Sequence, residues 1–273
     1  MGTDYWSVSQ LNQYLGCSLQ YYLQRIEGLA PQHVTSQSIL GRGVHNALSI
    51  ACMRRKQGKR MAKKELADAF AAELKAEVKL TDVPIQYKDG EGLDSTLAQG
   101  LALVECWADH APEDDVVSVE QRFEVELINS DGEVLDKPLV GYLDLIVREN
   151  GGFTIVDFKT LSRRMSAAQI ETDMQATGYL YALGQLHGPG AFRFDVLVKN
   201  KTPKFEQYRT ARTTEDFDRF IRIVQTVEMG VVAGIFLPNE RGFYCANCGY
   251  KQACKEWHRT AARTTVGVGG VVT

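Results

Sequence analysis

The chain has 273 residues, 31 Lys and Arg against 34 Asp and Glu for a formal charge of -3, and 44% apolar side chains. This composition excludes a chain disordered throughout, a collagen and a coiled coil, and no apolar run approaches the roughly 20 residues that a membrane-spanning helix needs. At about 150 residues per domain the length allows two domains or one large mixed α/β domain, and the pattern favours one domain over 1–259 with a loose tail over 260–273.

In chain order, Trp6 to Leu29 reads as one helix, with Ser7 or Ser9 as its cap and Leu11, Tyr14, Leu15, Leu19, Tyr22, Leu23 and Ile26 spaced at three and four. Cys17 sits on its apolar side. Further helices are predicted from about Ser38 to Lys56 and from about Ala62 to Val78, the latter with a Leu66, Phe70, Leu74, Val78 stripe. Thr81 to Gly92 reads as a loop, and another helix follows to about His110. At Val116 the period becomes strand-like, over Val116–Val119, Arg122–Leu127, Leu139–Arg148 and Phe153–Lys159. A helix from about Ser166 to Leu186, strands at Phe192–Val198 and Phe205–Tyr208, and a helix from Thr214 to Met229 follow. The start shows no basic flank before an apolar stretch, so no signal peptide is expected. In a reducing cytoplasm the six cysteines are expected as thiols or metal ligands rather than disulfides.

Two of the buried-looking strands are interrupted by charge. An Asn-Gly pair favours a two-residue hairpin turn. If Asn150-Gly151 is that turn, Glu149 pairs with Gly152 and, counting outward, Asp144 falls beside Asp157. Cross-strand partners have Cβ atoms roughly 4.5 to 5.5 Å apart, close enough for two carboxylates to share one hard cation, for which oxygen ligands suit magnesium or manganese. Lys159, two residues on, shares the face of Asp157. Taken alone, a salt bridge at a strand end would explain the same residues. Upstream, Gly41 and Gly43 weaken a predicted helix that carries His45, which hints at the close approach of a backbone or a ligand. Downstream, Gln175 and Tyr179 lie four apart on one helix face.

In this order the four pieces resemble the RecB-like branch of the PD-(D/E)XK nuclease superfamily: Gly41 and His45, Gly141 and Asp144, Asp157 and Lys159, Gln175 and Tyr179. The resemblance implies an α/β fold of the restriction-endonuclease type, a mixed central sheet flanked by helices, with a helical part over about 1–113 and a nuclease core over about 114–230. It implies that His45, Asp144, Asp157 and the backbone carbonyl of Phe158 hold Mg2+ or Mn2+, that Lys159 orients or helps deprotonate the attacking water, and that Gln175 and Tyr179 position water, lysine or phosphate. Glu120, on the preceding strand, reads as an exposed strand residue, with a place near the metal as the lesser reading.

Cys245, Cys248 and Cys254 form Cys-x2-Cys-x5-Cys in a loop over about 240–257, with Cys17 as the candidate fourth ligand, while Cys52 and Cys106, within predicted helices, read as small buried residues. Four thiolates suit zinc or a 4Fe-4S cluster, and spacing alone favours neither decisively. The arrangement resembles that of the iron-sulfur RecB-like nucleases, which include the AddB nuclease domain and small CRISPR-associated exonucleases of spacer acquisition. That resemblance implies a 4Fe-4S cluster clipping together parts of the chain more than two hundred residues apart.

The implied partner is DNA, as single-stranded ends degraded 5′ to 3′, along with recombination or CRISPR adaptation proteins. With a slightly negative chain, DNA contact is expected from local patches: Arg54 to Lys64, Arg163-Arg164, Lys199 to Lys204, and Lys251, Lys255 and Arg259. Tyr5, Trp6, Tyr21, Tyr22, Tyr250 and Trp257 are base-stacking candidates that read better as packing aromatics. The alternative is a catalytically idle DNA-binding or assembly subunit, against which Asp144, Asp157 and Lys159 speak.

Overall fold

The computed structural model describes residues 3–266, and its first departure from the sequence pattern falls at Cys17. The long amphipathic segment is two helices, α1 (Val8–Gly16) and α2 (Ser18–Tyr21), followed by a π turn over Tyr22–Ile26. Ser7 caps α1 in a capping box with Gln10. Cys17 itself is extended at φ -164 and ψ 100. The break is held from the far end of the chain: Leu19 N–H and Ser18 Oγ donate to the Leu237 carbonyl at 3.1 and 3.2 Å, and Asn239 Nδ2 donates to the Gly16 carbonyl at 2.9 Å. Tertiary partners thus override a helical periodicity that is locally sound.

Next come β1 (Val34–Thr35), α3 (Ser36–Lys56), α4 (Lys63–Lys79), β2 (Ile85–Gln86) and α5 (Leu93–His110). Thr35 caps α3, two residues earlier than the pattern suggests. The expected loop carries β2, which pairs in parallel with β1 through Val34 with Ile85 and Thr35 with Gln86. Gly43 allows α4 to approach, since a Cβ there would meet the Leu74 backbone and the Phe70 ring at 3.4 Å, whereas one at Gly41 would meet nothing within 4 Å.

The central sheet takes β3 (Asp115–Val125), β4 (Leu139–Glu149) and β5 (Gly152–Leu161), then α6 (Ala167–Thr172) and α7 (Met174–His187), then β6 (Gly190–Val198) and β7 (Lys204–Thr210). Its order is β3-β4-β5-β6-β7, antiparallel except for the parallel β5–β6 pair, whose crossover is α6–α7. The two segments expected over 116–127 are one strand with a register shift between Val116 and Ser118. Asn150 and Gly151 both take positive φ, 51° and 80°, as a type I′ turn requires, and Glu149 pairs with Gly152 as the turn predicts.

The helix expected over 166–186 breaks at Asp173, which caps α7 by accepting the Ala176 N–H at 2.8 Å. Arg212 secures the break, donating to the Ile170 and Asp173 carbonyls and to Thr177 Oγ1. After β7 come α8 (Thr214–Val232), a 3-10 turn over Phe243–Asn247 and α9 (Lys251–Val266). The expected tail begins within α9, and its residues 267–273 lie outside the described residues.

Helices cover both faces of the sheet. On one, Ile146, Ile155, Phe192, Phe194 and Val196 pack with Leu11, Leu180, Leu183, Phe220 and Val224 of α1, α7 and α8. On the other, Leu145, Val147, Val156 and Leu197 pack with Ile39, Val44 and Leu48 of α3 and with residues of α4 and α5. Burial on both faces explains why β4 and β5 read as nearly unbroken apolar runs.

The α4–α5 contact depends on Gly100, where an added Cβ would lie 1.9 Å from Phe70 Cζ. Gly100→Ala is expected to destabilise the protein by about 1–3 kcal/mol through overpacking, although alanine favours a helix by about 1 kcal/mol over glycine. Chemical denaturation of the variant, and of Phe70→Leu combined with it, reads the loss and its partial rescue.

Candidate active site

α3 crosses the sheet where β3, β4 and β5 lie side by side, and this crossing brings His45 to the two carboxylates of the hairpin. His45 Nδ1 is 3.6 Å from Asp144 Oδ2, and His45 Nε2 is 2.6 Å from Glu120 Oε1. Ligand atoms of His45, Glu120 and Asp144 all lie within 4.8 Å of one another. Asp144 Oδ2 also accepts the Phe158 N–H at 3.2 Å, tying β4 to β5 one step beyond the Leu145–Val156 pair. The edge of the His45 ring meets the ring of Phe158, with centroids 6.1 Å apart.

Glu120 is not the exposed strand residue the sequence suggested. It is half-buried, and Ser49 Oγ of α3 donates to its Oε1 at 2.7 Å. Its backbone stands at φ 50, in the left-handed region, within a strand. Such a conformation costs a non-glycine residue about 1–3 kcal/mol and persists where the surroundings impose it. The register of β3 with β4 sets Glu120 opposite Asp144, between the Val119–Leu145 and Gln121–Leu143 pairs. Near this point the two-residue alternation of β4 slips, because Leu143 and Ile146 join one core while Leu145 and Val147 join the other. The irregularity aims a third side chain at the pocket, and strand periodicity carries no sign of it.

Asp157, 1% exposed, occupies the adjoining position of β5 and turns its oxygens toward α7. Gln175 Nε2 donates to Asp157 Oδ1 at 2.8 Å, and Lys159 Nζ donates to Gln175 Oε1 at 2.5 Å. Lys159 Nζ is also 2.9 Å from Asp157 Oδ2, an ion-pair distance, yet no donor meets that buried oxygen in hydrogen-bonding geometry. The side chain of Gln175 thus bridges the aspartate and the lysine. The Tyr179 ring packs edge-on to Phe123, and both rings cover Gly141, where a Cβ would fall 2.7 Å from Phe123 and 3.4 Å from Tyr179. Of the sequence-predicted residues, His45 and Asp144 form the compact set with Glu120. Among the described residues no set of three that includes Asp157 is as tight.

The charges explain why the pocket suits a cation. Burial, then the nearby Asp157, pushes Asp144 up to about 7. Burial also raises Asp157 above the usual carboxylate range, against the opposing pull of Lys159. For His45, burial works against the charged ring, but the hydrogen bond to Glu120 and the field of Asp144 outweigh it and raise the pKa. For Glu120, burial is outweighed by the contacts to His45 and Ser49, which hold the carboxyl below its ordinary value. Burial likewise opposes the charge on Lys159, and Asp157 overcomes it and keeps the ammonium protonated. Burial and the two aspartates push the Tyr179 phenol up, so it remains a donor. The close approach of His45, Glu120 and Asp144, with Asp157 beside them, makes up a donor set that fits a hard divalent ion.

A second locus lies at the α1–α2 break. Cys17, Cys245, Cys248 and Cys254 line one cavity of about 660 Å³. Asn239 N–H points at the Cys17 sulfur and Tyr250 N–H at the Cys248 sulfur, both at 3.4 Å. Leu19, Leu23 and Tyr250 form a small separate core beside three of these cysteines. Cys52 of α3 is buried in the core, where burial pushes its thiol up to about 12, whereas Cys106 of α5 is only half-buried, not the buried residue expected.

In two of the expected DNA patches some of the cations pair with acids. Arg54, Arg60 and Lys63 pair with Glu65, Glu113 and Asp109, and Arg164 pairs with Glu206. Of the aromatic residues, Trp6, Tyr21 and Tyr250 are buried packing groups, as their spacing suggested, while Tyr5 is exposed.

A family model described as the PD-(D/E)XK nuclease superfamily matches residues 5–255. Among solved structures, a "putative exonuclease" from Eubacterium rectale has a TM-score of 0.53 at 14% identity, covering 89% of this chain and 88% of that one. SSO0001 has a TM-score of 0.35 at 13% identity, covering 81% and 82%. No curated protein matches.

The raised pKa of Asp144 has a stability consequence. Between the unfolded value of 3.8 and about 7 the metal-free folded state holds a proton that the unfolded state has lost, so stability falls as pH rises through that window, by at most about 4 kcal/mol. Asp144→Asn is expected to raise the melting temperature of chelator-treated protein at pH 8 while leaving it little changed at pH 4, and to abolish the stabilisation that Mn2+ gives the wild type. Thermal melts with and without the ion check both signs.

Proposed function

From the premise that this chain belongs to the PD-(D/E)XK nuclease superfamily, we propose that it is a divalent-metal-dependent deoxyribonuclease removing nucleotides from single-stranded DNA ends. The observation that carries this reading is the convergence of His45, Glu120 and Asp144 beside the buried Asp157–Lys159–Gln175 bridge. Exonuclease action is supported by the name of the fold neighbour from Eubacterium rectale. A 5′ to 3′ direction, and a role in recombination, repair or CRISPR adaptation, rest on the motif resemblance.

In this reading His45, Asp144 and Asp157, with the Phe158 carbonyl, hold Mg2+ or Mn2+, and Glu120 adds a carboxylate. A bound divalent ion lowers the pKa of water and offsets charge on the phosphate. Lys159, kept protonated by Asp157, presents a positive charge to the scissile phosphate and orients the attacking water without acting as its base. Gln175 fixes Asp157 and Lys159 relative to each other, and Tyr179 supplies a hydroxyl donor at the edge of the pocket.

The four cysteines are proposed to hold a 4Fe-4S cluster. A single zinc ion with bonds of about 2.3 Å would draw its sulfurs to roughly 3.8 Å from one another. Among the described residues no three of these thiols lie within 4.8 Å of one another. A cluster seats each thiolate on a different iron and tolerates the wider spacing, and the backbone N–H groups aimed at Cys17 and Cys248 suit anionic sulfur. The cluster's role is structural.

Anaerobically purified protein is expected to degrade end-labelled linear single strands with Mn2+ or Mg2+, to spare circles, and to stop when chelator is added. Asp157→Ala should lower the rate at least about a hundredfold. Equal DNA loss by the variant would trace the activity to a contaminant, and an idle binding subunit would cleave nothing. Iron and sulfide should each be found at four per chain in brown protein, and a colourless zinc protein would sink the cluster. Replacing Cys248 with Ser should bleach the protein and loosen its N- and C-terminal segments toward proteolysis.

A further inference from the structure

Lys199 stands immediately beyond β6 and differs from several other sheltered cations, which face an acid. Lys159 faces Asp157, Arg193 lies between Asp114 and Asp195, and Lys137 faces Glu228. The half-buried Lys199 has no ion-pair partner among the described residues and donates to the neutral Oε1 of Gln37. Withdrawing a cation from water without a counter-charge is unfavourable. Burial, and then the field of Lys88, holds the Lys199 pKa below the ordinary lysine value, with Glu91 opposing. A lysine held against a neutral amide, with a second lysine's field upon it, makes a place suited to an anion.

Three elements create the juxtaposition. The small parallel sheet pairs Thr35 with Gln86, which puts Gln37, in the first turn of α3, and Lys88, two residues beyond β2, at the same end of that sheet. The parallel register of β5 with β6 pairs Leu161 with Val198, and Lys199 N–H donates to the Leu161 carbonyl at 2.7 Å. Lys199 is thereby fixed at the carboxyl ends of the strands that carry the active site. α3 connects the two places, since Gln37, Gly41 and His45 recur at intervals of four and share one helix face. A Cβ at Gly41 would meet nothing within 4 Å, so the helix face between His45 and Gln37 is bare.

Two rulers agree on the separation. Eight helical residues at about 1.5 Å each place Gln37 roughly 12 Å from the level of His45. Val196 pairs with Lys159, and three strand residues at about 3.3 Å place Lys199 roughly 10 Å beyond it.

We propose that Lys199, Lys88 and Gln37 form a phosphate subsite for the nucleic-acid strand, a few nucleotides from the metal centre, with the sugar-phosphate backbone running along the Gly41 face of α3. The ligand is a phosphodiester of the polymer rather than a base, so the subsite adds affinity and register without sequence preference. It rests on the nuclease reading for its placement relative to a scissile bond, and it is tested by binding alone. Lys199 is a positioning residue, remote from the reacting atoms.

The experiment measures anisotropy of a fluorescein-labelled single-stranded oligodeoxynucleotide with the full chain in Ca2+, across a salt series. Each phosphate contact to a single strand contributes about 0.7 to the slope of log K against log salt. Lys199→Gln is expected to lower the slope by about that amount and affinity about five- to tenfold at low salt, whereas Lys199→Arg keeps the wild-type slope. Gly41→Leu, for which the helix has room, should melt no lower than the wild type yet bind more weakly because its side chain stands in the strand's path. Lys75→Gln, exposed on α4, controls for net charge.

A wild-type slope and affinity in Lys199→Gln overturn the subsite, and so does an equal loss in Lys75→Gln. A wild type that binds with a Lys199-dependent slope but cleaves nothing in Mn2+ overturns the nuclease reading and leaves the subsite standing. A wild type that binds no DNA overturns both.

Discussion

Two buried carboxylates on neighbouring strands, Asp144 and Asp157, repel each other across a gap from which water is largely excluded, and the architecture around them is arranged to tolerate that. Asp144 leans on the Phe158 N–H and on His45, and Asp157 on Lys159 and Gln175. The supports come from three elements, Phe158 and Lys159 from β5, His45 from α3 and Gln175 from α7, so these and β4 must all be in place around the pair. Even then both carboxyls are held above their ordinary range by burial. A divalent cation bound there would offset that crowding of negative charge.

The supporting elements are positioned by breaks as much as by regular structure. The end of α6 at Asp173, secured by Arg212, starts α7 where its first turn presents Gln175 to β5. The left-handed backbone at Glu120 turns a third acid toward His45. The extended Cys17 opens the first helix where its sulfur shares a cavity with Cys245, Cys248 and Cys254. Each break lowers local regularity, and each is held by partners distant in sequence. This is the pattern expected where function imposes a conformation on the chain.

The cysteine-lined cavity and the active site lie at opposite ends of the same chain logic. The residues over 235–239 bind the α1–α2 break through Tyr14, Ser18 and Gly16, while α1 itself packs on α7 and α8. The N-terminal helix is therefore part of the layer that carries Gln175 and Tyr179, and closing the chain's ends steadies that layer. Hydrogen bonds between the ends already sketch the closure, and a cluster would make it covalent in effect.

Much of the site was legible because hairpin and helix chemistry are local. Asn150-Gly151 determines the type I′ turn, and the turn determines the register from Glu149–Gly152 to Leu145–Val156, one step short of Asp144 and Asp157. The helical spacing of Gln175 and Tyr179, the Thr213 region that caps α8 and the apolar runs of a doubly covered sheet are equally local. Glu120, the breaks at Cys17 and Asp173, the pairing of β1 with β2 and the meeting of Lys88 with Lys199 were not legible. A positive φ within a strand, a helix opened by a carbonyl from Leu237 and a two-residue strand pair all draw their stabilisation from distant residues. Sequence by itself determined which polar side chains neighbour one another along a hairpin or a helix face, since that spacing follows from bond geometry and turn type. Tertiary structure alone decided which of them meet across the fold, because the free energy of those meetings belongs to contacts between segments that local propensity does not contain.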